Sequence, residues 1–494
     1  MQDFNQKLNA IKDKITDLVQ KGFYGESIEI IQQLEGVIPY DTDIISIKST
    51  ILYHLNDLKK AEEVAEIGLL LNPTDSDLLY NLAYVLFQAE KDSQARFMLS
   101  IAIDYCKDPE LLKYLFEFLE DVERKYQLSD KWGIQGEGDS FLFLLLKEVY
   151  SNLPNHFKHN VDIDYMDLTT NPIQNVQIID VISERKAIVK HIEGLSRLFD
   201  VLHDEFSKRL LLQVLSFRIL GNLKVQLPLN SLEYWNQRKQ IKTLVASPDT
   251  LVTSYEHWQL QKYALNEIGY PIEMYNLALG IHAVFLVKQY EYHHSQIQIK
   301  AQKNDIVIDC GGCWGDTALY FANEVGQLGK VYTVEFIPSN LNILYRNLDL
   351  NPTLKERINV IPNPVWNVSD QSAYYIDRGC ASLVSMEPFG EVEEKVQTLA
   401  IDDLVINYGL DRVDFIKMDV EGAEMNALKG AANSICKFRP TLAISLYHQI
   451  SDFQAIPEFI SQISEDYIFT LKHCTILTFE TILFAIPREK FPSK

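Results

Sequence analysis

Three side chains in the last quarter of the chain carry the chemistry of proton movement. Asp419 and Glu421 stand in "DFIKMDVEGAEM", and His448 follows the apolar run "TLAISLY". An imidazole with an ordinary pKa of about 6.5 suits a general base near neutral pH. Two carboxylates and an imidazole on one rim also make a donor set for a divalent ion, and the residues alone leave that choice open. A second group lies upstream in "IVIDCGGCWGDTALYF", residues 306–321. There an apolar run delivers Asp309 to a loop containing Gly311, Gly312 and Gly315, and Thr317 follows where a helix should begin. Glycines let a loop turn tightly and approach a ligand, and the first N–H groups of a helix favour negative charge. One strand further on, "GKVYTVEF" ends in Glu335. A carboxylate at that place can accept both ribose hydroxyls of a nucleoside cofactor, although capping of the following "PSN" segment would also employ an acid there.

The spacing of the loop narrows the choice. The dehydrogenase fingerprint G-x-G-x-x-G is absent, and so is the phosphate-loop Lys-Ser/Thr. What stands is D-x-G-x-x-x-G, from Asp309 through Gly311 to Gly315. Cys310 and Cys313 form a C-x-x-C pair, but two ligands fall short of the roughly four that zinc needs, and no second pair exists in the chain. They read as small side chains filling the loop, and no metal centre is expected from them.

These groups need a rigid frame. From residue 246 onward, apolar Val- and Ile-rich runs alternate with helical ones: "DIVIDCG", "GDTALYFANEVG", "GKVYTVEF", "SNLNILYRNLDL", "DFIKMDVEG", "PTLAISLYH". Such alternation predicts βαβ crossovers and a parallel, doubly wound sheet buried on both faces, with ligands at the carboxyl ends of its strands. "YIFTLKHC" and "ETILFAIP" follow each other without a helix and predict an antiparallel terminal hairpin. "GIHAVFLVKQYEY", residues 280–292, has strand-like texture. Residues 126–245 read as a helical linker or cap, with "KWGIQGEGDS" as a connector. Residues 1–125 are helical by pattern and repeat: Leu52 recurs as Leu86, Ala61 as Ala95, Gly68 as Ala102 and Pro39 as Pro73. This resembles the tetratricopeptide repeat, whose period is 34 residues, and implies a surface for a protein partner or for a homodimer.

The block "DFIKMDVEGAEMNALKG", with the glycine loop, "VEFIPSN", "SLYHQ" and "ETILFAIP", resembles the FkbM family of S-adenosylmethionine-dependent methyltransferases over about residues 300–487. The lead-in from "GYPIEMY" to "QYEY" is similar too, so the domain is expected over 246–494. The resemblance implies a class I methyltransferase fold, S-adenosylmethionine as cofactor, and methylation of a hydroxyl on a sugar, glycan or other small metabolite. It implies that Asp309, Gly311, Gly312, Gly315 and Thr317 surround the cofactor's amino-acid end and that Glu335 holds its ribose. The "NPVW" stretch, with Asn363 and Val365, would lie against adenine, and Asp419, Glu421 and Gly422 beside the transferred methyl. Cys313 departs from the pattern. A retained but inactive fold serving as a repeat-based scaffold is the alternative.

The 494 residues carry a net charge of −22, which disfavours a nucleic-acid surface. Six cysteines in this length do not suggest a disulfide framework. No secretory leader or spanning segment is expected, and a cytoplasmic location is.

Overall fold

The computed structural model describes residues 2–130, 139–158, 160–162, 177–254, 257–390 and 394–492. Most of the expected connector, residues 131–138, lies outside these. The chain forms two compact units. The first comprises Met1–Phe157, Gln177–Ile192 and Leu215–Val225; the second comprises Lys158–Val176, Glu193–Val214 and Gln226–Lys494.

The first unit is helical. It opens with α1 (Gln2–Gln20), α2 (Tyr24–Glu35), α3 (Thr42–His54), α4 (Leu58–Leu71), α5 (Ser76–Gln88), α6 (Asp92–Tyr105) and α7 (Pro109–Asp130). The starts of α3 and α5 are 76 − 42 = 34 residues apart, as are those of α4 and α6, 92 − 58 = 34. The repeat is therefore physical, a stack of tetratricopeptide-type hairpins. Its small residues sit where the helices meet: Ala61, Ala95 and Ala102 are fully buried, and a side chain at Gly68 would collide with Ile45 and Leu78. Asp41, Asp57 and Asp75 cap α3, α4 and α5 by accepting backbone N–H groups of their first turns.

The second unit is built on a seven-stranded sheet. Its strands are β1 (Ile306–Cys310), β2 (Lys330–Val334), β3 (Ile358–Ile361), β4 (Phe415–Met418), β5 (Thr441–Ser445), β6 (Tyr467–His473) and β7 (Thr481–Pro487). They lie in the order β6-β7-β5-β4-β1-β2-β3. β1 to β5 pair in parallel, while β7 is antiparallel to both β5 and β6. The order reverses beside β1, which makes its carboxyl end the switch point where a ligand crevice opens. This is the class I methyltransferase arrangement with its terminal hairpin. Val307, Phe321, Phe415, Ala443 and Phe484 belong to one buried apolar cluster that locks the sheet to its covering helices.

One element differs from the sequence expectation. Residues 280–286 are not a strand: Ala278–Ile281 is a helical turn that widens to π geometry over His282–Leu286, and strand structure begins only at Tyr292. A short, largely apolar run satisfies both periodicities, and here packing chose the helix. Ahead of it, Val245–Val252, Gln259–Ala264 and Glu273–Asn276 form a small antiparallel sheet. Among the described residues, no helix is long and apolar enough to cross a membrane.

Candidate active site

A cavity of about 570 Å³ opens at the carboxyl ends of β1, β2 and β4. That volume suits a small organic cofactor. Of the residues singled out in the sequence, Gly311, Thr317, Glu335, Val365, Asp419 and Glu421 line it. Asp309, Gly312, Gly315, Asn363 and His448 do not.

The glycine loop explains part of this division. Gly311 has φ +89°, and a Cβ there would collide with the carbonyl oxygen of Asp419, so only glycine lets the ends of β1 and β4 come this close. Gly315, at φ +86°, caps helix α8 (Asp316–Val325). Asp309 is fully buried beneath the loop. Its Oδ2 accepts hydrogen bonds from Thr317 Oγ1 at 2.8 Å and Thr333 Oγ1 at 2.9 Å, and its Oδ1 lies 3.3 Å from Lys417 Nζ. Asp309 thus braces the loop from below. Asn363 donates its amide to the Gln397 carbonyl at 3.0 Å, leaving Pro364 and Val365 on the wall.

Lys417 is the residue that the sequence reading passed over. It projects from β4 and is 1 % exposed. Its ammonium donates to the carbonyls of Cys310 at 3.0 Å and Gly311 at 2.6 Å. Burial opposes its charge, but Asp309, Asp419 and Asp316 outweigh burial and hold its pKa above the usual lysine value. The signal was a lysine inside an otherwise apolar strand, "FIKM".

Glu335 serves its own turn with one oxygen. Oε1 accepts the backbone N–H groups of Phe336 at 2.7 Å and Ile337 at 2.8 Å, at the entry to α9 (Pro338–Asp349). Oε2 is held by Asn340 Nδ2 at 3.3 Å. Burial pushes its pKa up to about 7 against these donors.

Asp419 stands at the end of β4, fixed by two phenols: Tyr290 and Tyr447 each donate to it at 3.0 Å. Burial alone would raise its pKa; Lys417 and His448 outweigh burial and hold it below the usual carboxylate range. His448 lies behind this wall. Its Nε2 is 3.2 Å from Glu421 Oε2 and 3.7 Å from Asp419 Oδ1, and its Nδ1 is 3.1 Å from Glu424 Oε1. Burial disfavours an imidazolium, yet the carboxylates override it and push the His448 pKa up to about 11. The sequence suggests an imidazole of ordinary pKa; the surrounding acids favour its charged form. One ligand atom each of Asp419, Glu424 and His448 lie within 4.8 Å of one another, so the same cluster has the donors for a divalent ion. Burial, with Asp419 and Glu421 nearby, also pushes Glu480 up to about 8. Cys313, Glu421 and Glu480 all carry positive φ at this cavity, a concentration of strained backbone of the kind found at functional sites.

Residues 303–471 match the family model described as the methyltransferase FkbM domain. A methyltransferase of Sordaria araneosa, sdnD, is 27 % identical over 180 residues, covering 30 % of this chain and 69 % of that protein. The solved methyltransferase FkbM from Methylobacillus flagellatus is 23 % identical at a TM-score of 0.37; the match covers 60 % of this chain and 59 % of that one. The Sgt2 tetratricopeptide domain of Aspergillus fumigatus aligns over 26 % of this chain and 86 % of its own, with 17 % identity and a TM-score of 0.23. Residues 303–471 are thus similar to a methyltransferase domain of the FkbM family.

Proposed function

We propose that the chain transfers a methyl group from S-adenosylmethionine to a hydroxyl oxygen of a small polar acceptor such as a sugar or glycan. The supporting observation is that Gly311, Glu335, Val365 and Asp419, on four separate segments, wall one cavity at the switch point of the sheet. The groups present fit the cofactor: the exposed backbone at Gly311 for its amino-acid end, the cavity-lining carboxylate of Glu335 for ribose, and the apolar Pro364–Val365 edge for adenine. Asp309 supports the loop, with Gly312, Gly315 and Thr317 shaping it. Bound S-adenosylmethionine supplies a sulfonium methyl carbon open to in-line attack. Gln259, Gln261, Gln289 and Arg238 line the same cavity with polar groups able to bind acceptor hydroxyls.

An alcohol is a poor nucleophile until it loses its proton. Glu421 lines the cavity, and burial raises its pKa, which suits a proton acceptor. We assign it that step, with His448 orienting its carboxylate and Asp419 holding the β4 end in place. Should the His448 cluster instead hold a divalent ion, a chelator would abolish turnover.

Calorimetric titration with S-adenosylhomocysteine and with NAD tests the reading. Binding of the first alone is expected. Glu335→Ala should weaken that binding by one to two orders of magnitude, about 1.5–3 kcal/mol. An unchanged dissociation constant in the folded variant would remove Glu335 from the site.

A further inference from the structure

Cys313 interrupts the glycine loop with a side chain, at φ +40° and on the cavity wall. Its sequence neighbour in the C-x-x-C pair, Cys310, is fully buried in β1. The thiol that faces Cys313 is a distant one: Cys380, exposed in the turn Gly379–Ala381, within hydrogen-bonding reach of it and on the same wall. The two segments are fastened together by one side chain. Asn340 accepts from the Trp314 indole at 3.1 Å and donates to the Gly379 carbonyl at 2.9 Å. Residues adjacent to each cysteine are thereby held to the same amide, which also touches Glu335.

We propose that Cys313 and Cys380 are an oxidisable dithiol whose disulfide narrows the cavity beside Glu335. Burial pushes the Cys313 thiol pKa well up, and the more exposed Cys380 meets the oxidant first. With glutathione disulfide as oxidant, the Cys380 thiolate attacks one sulfur and releases one glutathione, giving a mixed disulfide. Cys313, losing its proton, then attacks the Cys380 sulfur and releases the second glutathione. The two cysteines lose two electrons and two protons, and the oxidant gains them as two thiols. Reductant reverses the cycle. The predicted effect on cofactor binding rests on the reading of this cavity given above; the bond itself does not.

The test uses the full-length protein. It is treated with glutathione disulfide, alkylated, and mapped by peptide mass spectrometry without reduction. A peptide pair joined through Cys313 and Cys380 is expected, and Cys380→Ser should abolish it. S-adenosylhomocysteine should bind the oxidised protein at least about tenfold more weakly than the reduced one, and dithiothreitol should restore it. Cys380→Ser should bind with the same affinity before and after the oxidant. Glutathione retained on Cys380 with no joined peptide would overturn the proposal, as would a joined peptide that leaves affinity unaltered. Should the reduced protein bind no S-adenosylhomocysteine, the cofactor reading fails, and the peptide map still decides the dithiol.

Discussion

Lys417 and Asp309 form a buried ion pair under the glycine loop, and the lysine also ties down two carbonyls of that loop. Removing one member of such a pair strands a charge away from water. Lys417→Met should therefore destabilise the protein by about 3–5 kcal/mol in urea unfolding. The double variant Lys417→Met, Asp309→Asn removes the stranded charge and should recover part of that loss. A single-variant cost below about 1 kcal/mol would mean that Thr317 and Thr333 suffice to stabilise Asp309. At this scale the sequence was informative about residue type and less so about residue duty. Asp309 and Glu335 stand at the ends of their strands as read. Their oxygens are largely committed to the protein, which no spacing rule reveals. Tyr290 and Tyr447 look like core in a one-dimensional pattern, whereas Lys417 stands out in its apolar strand without showing what it holds.

The loops and strands were more legible than the walls around them. Continuous apolar runs and glycine spacing identify β1, β2, β4 and β5 because parallel strands buried on both faces leave that signature. The small sheet of residues 245–276 and the π turn at 282–286 also line the cavity, through Trp258, Gln261 and Val284, yet nothing in their composition marks them. Gly311 and Gly326 offer a test of the loop as an element. Both have positive φ, at 89° and 71°. A Cβ at Gly326 meets nothing within 4 Å, whereas one at Gly311 collides with backbone. Gly326→Ala should carry only the backbone penalty of its φ +71°, ψ −166° conformation, about 1–3 kcal/mol. Gly311→Ala should cost clearly more and also weaken S-adenosylhomocysteine binding. Equal melting temperatures for the two variants would show that β4 moves freely away from the loop.

Over the whole molecule, several buried carboxyls share one direction of shift. Burial pushes Glu335 and Asp452 up to about 7 and Glu480 up to about 8. Each binds its proton more tightly in the folded state than in the unfolded one. Stability therefore falls as pH rises from about 4.5 to 8, because ionising these groups favours unfolding. Each tenfold difference in proton affinity corresponds to about 1.4 kcal/mol. His448, raised to about 11, acts in the same sense: its stabilisation is complete below about pH 6.5 and is lost as pH climbs toward 11. Thermal unfolding should give a melting temperature that declines from pH 5 to 8, and Glu480→Gln should flatten the decline. A melting temperature that rises across that range would contradict the assignment.

The division of the chain yields the remaining prediction. Among the described residues, every one lining the cavity lies at Arg238 or beyond, within the second unit. The repeats should therefore be separable from cofactor binding, as the sequence pattern suggests. The place of the cut matters. Arg238 is buried at the cavity wall, and its guanidinium is 2.7 Å from Asp162 Oδ2, an oxygen that also accepts the Tyr234 hydroxyl at 2.7 Å. Residues 160–162 thus belong to the wall's support although they precede the sheet by more than a hundred positions. A chain beginning at residue 139 keeps them and should bind S-adenosylhomocysteine within a few-fold of the full-length protein. A chain beginning at residue 226 strands the Arg238 charge and also lacks Glu193–Val214 of the second unit, so it should lose more than about 3–5 kcal/mol of stability. Asp162→Asn in the full-length protein isolates the missing carboxylate and should cost about 3–5 kcal/mol with the repeats intact. If the longer truncation folds and fails to bind, the repeats help to shape the cavity and the separation is wrong.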